Sequence, residues 1–86
     1  MREPVGLDEI APGECAVVLD LQNEATMRRR LRDLGLTEGG LVECLGRSPL
    51  GDPAAYLIRG AVIAIRKIDA KQIRVFRLKR RGSTWD

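Results

Sequence analysis

LRDLGLTEGGLVECLGR, residues 31 to 47, runs from a helical pattern into a strand pattern through Gly35, Gly39 and Gly40. Looking back along the chain, Met27, Leu31 and Leu34 recur at i, i+4 and i+7, which puts them on one buried stripe of a helix. Asn23 is placed to cap that helix and Glu24 falls in its first turn. Arg28, Arg29, Arg30 and Arg32 follow, an order of charge that suits the helix dipole. Gly35 is set to end the helix in the left-handed conformation, with Leu36 folding back over the last turn. TEGG (37–40) is then a turn and LVECLGR (41–47) a strand. Its alternation is ambiguous, because Leu41 and Leu45 face one way while Val42 and Cys44 face the other.

The same reading extends outward in both directions. Leu7 and Ile10, three apart and followed by Pro12, Gly13 and Glu14, predict one helical turn closing into a tight turn. CAVVLDL (15–21) reads as the first strand. Beyond residue 47 come AAYLIR (54–59), a short connection opened by Gly60, VIAIRK (62–67), one more helical turn at Asp69 to Gln72, and IRVFRL (73–78). Five short strands, one helix inserted after the first and hairpin-length connections predict a mainly β fold, a small and strongly bent barrel. Parallel order is disfavoured, since a single connection is long enough for a crossover.

A chain of 86 residues is one domain in which nearly every apolar run serves one core. Residues 1–78 are assigned to it, and the basic stretch 79–86 (KRRGSTWD) to a tail with too little apolar content to pack. Tyr56, Phe76 and Trp85 are the aromatic residues, so platforms for stacking bases are scarce. Cys15 and Cys44 lie 29 positions apart without CxxC spacing and the chain has no histidine, which disfavours a structural zinc site and makes both cysteines candidates for small core residues. No apolar signal segment opens the chain, and its apolar runs fall far short of a bilayer span of about 20 residues. The expected setting is soluble and reducing, in the cytoplasm.

Charge is polarised. Residues 1–27 carry a net −5 and residues 66–86 a net +6, within an overall +3. One reading is a basic face for an anionic partner. The other is neutralisation of opposite charges across neighbouring strands.

The ordered set of Leu7 with Pro12-Gly13-Glu14, Arg30-Leu31 leading to Leu34-Gly35-Leu36, Gly39, Pro49-Leu50-Gly51-Asp52-Pro53, Arg59-Gly60, Ile65-Arg66-Lys67, Ala70 and Ile73 resembles the ferrous-iron transport protein A (FeoA) family. The resemblance covers about Leu7 to Val75. It implies a five-stranded SH3-like barrel, turns Val42 and Cys44 toward the core, and associates the chain at family level with transition-metal-ion binding. It also implies an accessory role in bacterial ferrous-iron uptake, in which the protein docks on the GTP-binding cytoplasmic part of the membrane ferrous-iron transporter, at the inner face of the membrane. Glu38 departs from the pattern, standing where proline is usual.

Two segments are candidate partner-binding surfaces. SPLGDP (48–53) is a rigid loop in its plainer reading: Pro49 and Pro53 fix φ, Gly51 allows positive φ and Asp52 accepts backbone amides. Leu50 is left over, an apolar side chain on a stiff tip, and a preorganised tip loses little entropy on docking. Arg28, Arg29 and Arg32 are either a solvated helix face or a surface for an anionic partner. No Ser/His/Asp or Cys/His arrangement, phosphate-binding loop or carboxylate pair is present, so a non-enzyme without cofactor, metal ligands or small-molecule substrate is expected. Weak self-association is left open. The alternative reading is a nucleic-acid-binding barrel using the basic C-terminal strand and tail, against which the shortage of aromatics counts.

Overall fold

The computed structural model describes residues 3–78. Two-residue strand β1 (Val5–Gly6) leads into a 3₁₀ turn (Leu7–Glu9), then β2 (Cys15–Leu21), α1 (Ala25–Asp33), β3 (Leu41–Arg47), β4 (Ala54–Ile58), β5 (Ala61–Ile65), the short helix α2 (Lys67–Ala70) and β6 (Ile73–Arg77). All pairings are antiparallel, in the order β1-β6-β2-β3-β4-β5. The sheet wraps one core, mainly β as expected, with six strands where five were read. The sixth, β1, pairs Val5 with Val75 and Gly6 with Arg74. The segment 79–86 read as a tail lies outside the described residues.

Alternation along the strands builds the core. Ala16 and Val18 of β2, Val42 and Cys44 of β3, Ala54, Tyr56 and Ile58 of β4, and Ile73 and Val75 of β6 point inward and are buried. The ambiguous strand therefore resolves with Val42 and Cys44 inside, while Leu41 is exposed. Leu7 and Ile10 of the 3₁₀ turn plug one end of the sheet and are fully buried. Tyr56 hydroxyl donates to the Leu7 carbonyl at 3.4 Å, and burial pushes the phenol up to about 12. β4 and β5 are joined by the two-residue turn Arg59-Gly60. Both turn residues have positive φ (51° and 81°), the type I′ geometry that matches strand twist.

Two local readings need correction. Asn23 does not cap α1. The capping side chain is Glu24, whose carboxylate accepts from Thr26 N at 2.9 Å, while Asn23 is buried and donates its amide to the Asp69 carbonyl at 3.0 Å. Asn23 thus anchors the helix start to α2 across 46 residues of sequence. Leu34 leaves the buried stripe: it is 44% exposed, at the helix C-cap. Its place is taken by Leu36, which the chain reversal at Gly35 (φ 107°) folds inward. Leu36 N donates to the Leu31 carbonyl and Gly35 N to the Arg32 carbonyl, at 3.0 and 2.9 Å, the paired bonds of a Schellman ending.

Candidate docking surfaces

The loop between β3 and β4 is pinned at three points. Gly51 N donates to the Ser48 carbonyl at 2.8 Å and Ser48 N to the Pro53 carbonyl at 3.0 Å, which closes the loop on itself. Asp52 Oδ1 accepts from Lys67 N at 2.8 Å, so the carboxylate meets an otherwise unpaired amide at the start of α2, well away from its own loop. Gly51 has φ 88°, and a Cβ there would meet open space, so its requirement is conformational alone. Leu50, at the tip, is 94% exposed. None of the three bonds uses its side chain. Behind the loop lies a cavity of about 130 Å³ bordered by Asp8, Arg47, Asp52, Tyr56 and Lys67. Arg47 closes one side of it by donating to the Asp8 and Ile10 carbonyls at 3.0 and 3.1 Å.

The structure holds Pro49, Leu50, Gly51, Asp52 and Pro53 together as one tip. It divides the helix arginines. Arg28 Nη1 folds back onto the Asn23 carbonyl at 3.0 Å, and Arg32 is paired with Glu38 at 2.7 Å. Glu38, the residue that departs from the family pattern, is therefore Arg32's counter-ion, and its carboxyl is held below the usual range by the backbone bond it accepts and by Arg32. Arg29 is exposed and has no ion pair among the described residues. No hydrogen bond or ion pair between described residues joins the loop to α1.

β6 accounts for part of the charge polarity. Arg74 grips Asp20 of β2 with two bonds of 3.1 and 2.7 Å, and Arg77 lies 3.7 Å from Glu14 while donating to the Glu9 carbonyl at 2.8 Å. Asp20 and Glu14 thus neutralise Arg74 and Arg77, while Arg66, Lys67 and Lys71 form no ion pair among the described residues. The hydrogen bond from Arg74 holds the Asp20 carboxyl below its ordinary value. A carboxyl depressed in the folded state contributes stability above its unfolded pKa and loses it as pH falls through the folded one. We expect an NMR titration of Asp20 to show a midpoint below that of a free aspartate. Arg74→Gln should move it upward, and an unmoved midpoint would count against the pair.

Cys44 is buried, which pushes its thiol up, and Cys15 is half-buried on the opposite face of the sheet. Among the described residues no group of three or more His, Cys, Asp or Glu side chains is arranged to hold a metal ion. No described helix is long and apolar enough to cross a membrane. An open apolar feature that the strand patterns did not single out is the edge of β5, where Val62 is 66% exposed. The sequence reading took VIAIRK (62–67) as a strand and carried no information about which strand ends the sheet.

The FeoA domain family model matches residues 5–77. Among solved structures, the FeoA protein of Chlorobium tepidum is 34% identical, with 94% of this chain and 80% of that one covered at a TM-score of 0.82. The FeoA of Stenotrophomonas maltophilia, solved with zinc and described as an SH3 domain protein, is 30% identical over 81% of this chain and 87% of its own, at a TM-score of 0.70. A curated relative from Porphyromonas gingivalis is a fusion of Fe(2+) transport protein A with the Fe(2+) transporter FeoB. It is 29% identical over 69 residues, and the match takes in 80% of this chain but 8% of the fusion's length. With its six-stranded antiparallel fold, its pinned PLGDP tip and a family match across nearly the whole described chain, this protein belongs to the FeoA family.

Proposed function

We propose that this protein is a cytoplasmic accessory factor of bacterial ferrous-iron uptake, which docks through the Leu50 tip on the GTP-binding cytoplasmic part of the ferrous-iron transporter and supports its activity. The observation that carries the reading is Leu50 itself, a fully presented leucine on a loop whose three pinning bonds do not need it. A rigid apolar tip docks with little loss of conformational entropy. The fusion of an A-type segment to FeoB in the Porphyromonas gingivalis relative supports the choice of partner. The role is one of binding, without chemistry of its own: the tip offers an apolar contact beside a carboxylate already committed to Lys67. Among Arg28, Arg29 and Arg32, Arg29 is the one left without a bond or ion pair among the described residues, so it is the one free to meet an anionic partner, with Arg28 and Arg32 held by their own partners.

The test is binding of the transporter's purified cytoplasmic domain. Leu50→Ser should keep the unfolding free energy within the roughly 0.5 kcal/mol typical of surface changes, yet weaken binding by about tenfold or more. Gly51→Val should damage both, because a β-branched residue resists the positive φ that shapes the tip. Undiminished binding by folded Leu50→Ser would remove the tip from the interface, and salt-sensitive retention of random DNA in place of the transporter domain would replace the reading altogether.

A further inference from the structure

Among the described residues β5 ends the sheet, and β4 is its one strand partner. The two-residue turn at Arg59-Gly60 makes Ile58 and Ala61 a hydrogen-bonded pair, so Ala61, Ile63 and Ile65 direct their backbone groups to β4. Val62 and Ala64 therefore direct theirs outward, and neither has a backbone partner on that side among the described residues. Natural edges are blunted by charges, prolines or bulges. β5 reads AVIAI and has none of these over its five residues.

A groove of about 250 Å³ lies along this edge, between β5 and α1. Its floor and walls are apolar, from Met27, Leu31, Leu34 and Ile63, and its rim carries Arg30 and Arg66. Arg59 stands at the other end of the strand. Arg30, Arg59 and Arg66 are all exposed and form no ion pair among the described residues. Asp69, half-buried, is the one acid that lines the groove.

We propose that the open edge of β5 is a docking site for an extended peptide segment with an apolar centre and acidic flanks, which adds a strand to the sheet. Main-chain bonds to Val62 and Ala64 supply the pairing, alternate side chains enter the groove against Leu34 and Met27, and the flanking acids meet Arg59 at one end and Arg66 and Arg30 at the other. Charge decides against a second copy of this chain. Two β5 strands pairing antiparallel would set Arg59 of each beside Arg66 and Lys67 of the other, like charges at both ends. The site uses none of the Leu50 tip and goes beyond the transporter reading, since it specifies the chemistry of a segment whatever protein carries it.

The probe is a fluorescent peptide of alternating valine and threonine with two acidic residues at each end, compared with the same centre flanked by lysines. The acidic peptide should bind saturably, more weakly as salt rises, and should slow amide exchange at Val62 and Ala64; the lysine peptide should not bind. Ala64→Pro removes an outward N–H and leaves the bonds to β4 in place, so the fold should persist while affinity falls by about tenfold. Arg66→Glu should lower affinity about threefold or more and decides the matter should Ala64→Pro fail to fold. Leu50→Ser should bind the peptide as the parent does, which separates this site from the tip. Equal affinity for both peptides, no binding at millimolar concentration, or protection confined to residues 48–53 would overturn the proposal.

Discussion

A chain ending at Gln72 is expected to show no cooperative melting transition. β6 is an interior strand, bonded to β1 on one side and to β2 on the other, so its loss breaks the sheet in two places and leaves β2 as a bare edge. Ile73 and Val75 go with it. Both are fully buried, and each such side chain contributes about 1.5–3 kcal/mol by leaving water. The Asp20 pair and the bonds of Arg77 are lost as well. Against a total stability of about 5–15 kcal/mol for a natural domain, these losses remove most or all of the margin. A chain ending at Leu78 is expected to melt like the parent, because it keeps every described strand and the last described backbone bond, Leu78 N to the Cys15 carbonyl at 2.8 Å. Calorimetry of the two truncations checks both halves. A cooperative transition at a similar temperature in the shorter chain would mean that β6 does not hold the sheet together.

The parts of this fold that were legible in the sequence are those whose cause is local. Gly35 followed by Leu36 states a helix ending within two residues, because no other residue takes that backbone so readily and the next apolar side chain has one direction in which to fold. The SPLGDP tip was legible for the same reason. What escaped depends on residues far apart. β1 has two residues, too few to show any alternation, and exists because β6 offers it an edge. Asn23 has the preferred chemistry of a cap, but a carbonyl 46 residues away takes its amide, and Glu24 caps in its stead. Asp52 was read as an acceptor of backbone amides, with no partner named, and it is one. Its partner is Lys67, which only the pairing of β4 with β5 brings near. The open β5 edge escaped because VIAIRK reads as a strand and nothing more, and whether a strand is flanked on both sides is a property of the sheet.

Leu31→Ala is expected to destabilise the protein by about 2–4 kcal/mol, the range for truncating a buried leucine where neighbours cannot close the gap. Leu31 is 4% exposed, and its carbonyl also accepts from Leu34 N and Leu36 N at the end of α1. Its side chain is the inward anchor of α1, since the partner expected one turn later is turned out: Leu34→Ala, at 44% exposure, should cost about 0.5 kcal/mol or less. Arg29→Ala should cost as little, being an exposed cation with no pair. Denaturant unfolding of the three variants at a common slope reads the differences directly. The ordering carries the argument more than the magnitudes do. If Leu34→Ala costs as much as Leu31→Ala, then α1 is rotated toward the sheet at its C-terminal end, Leu34 is a core residue, and the wall it contributes to the groove beside β5 is closed.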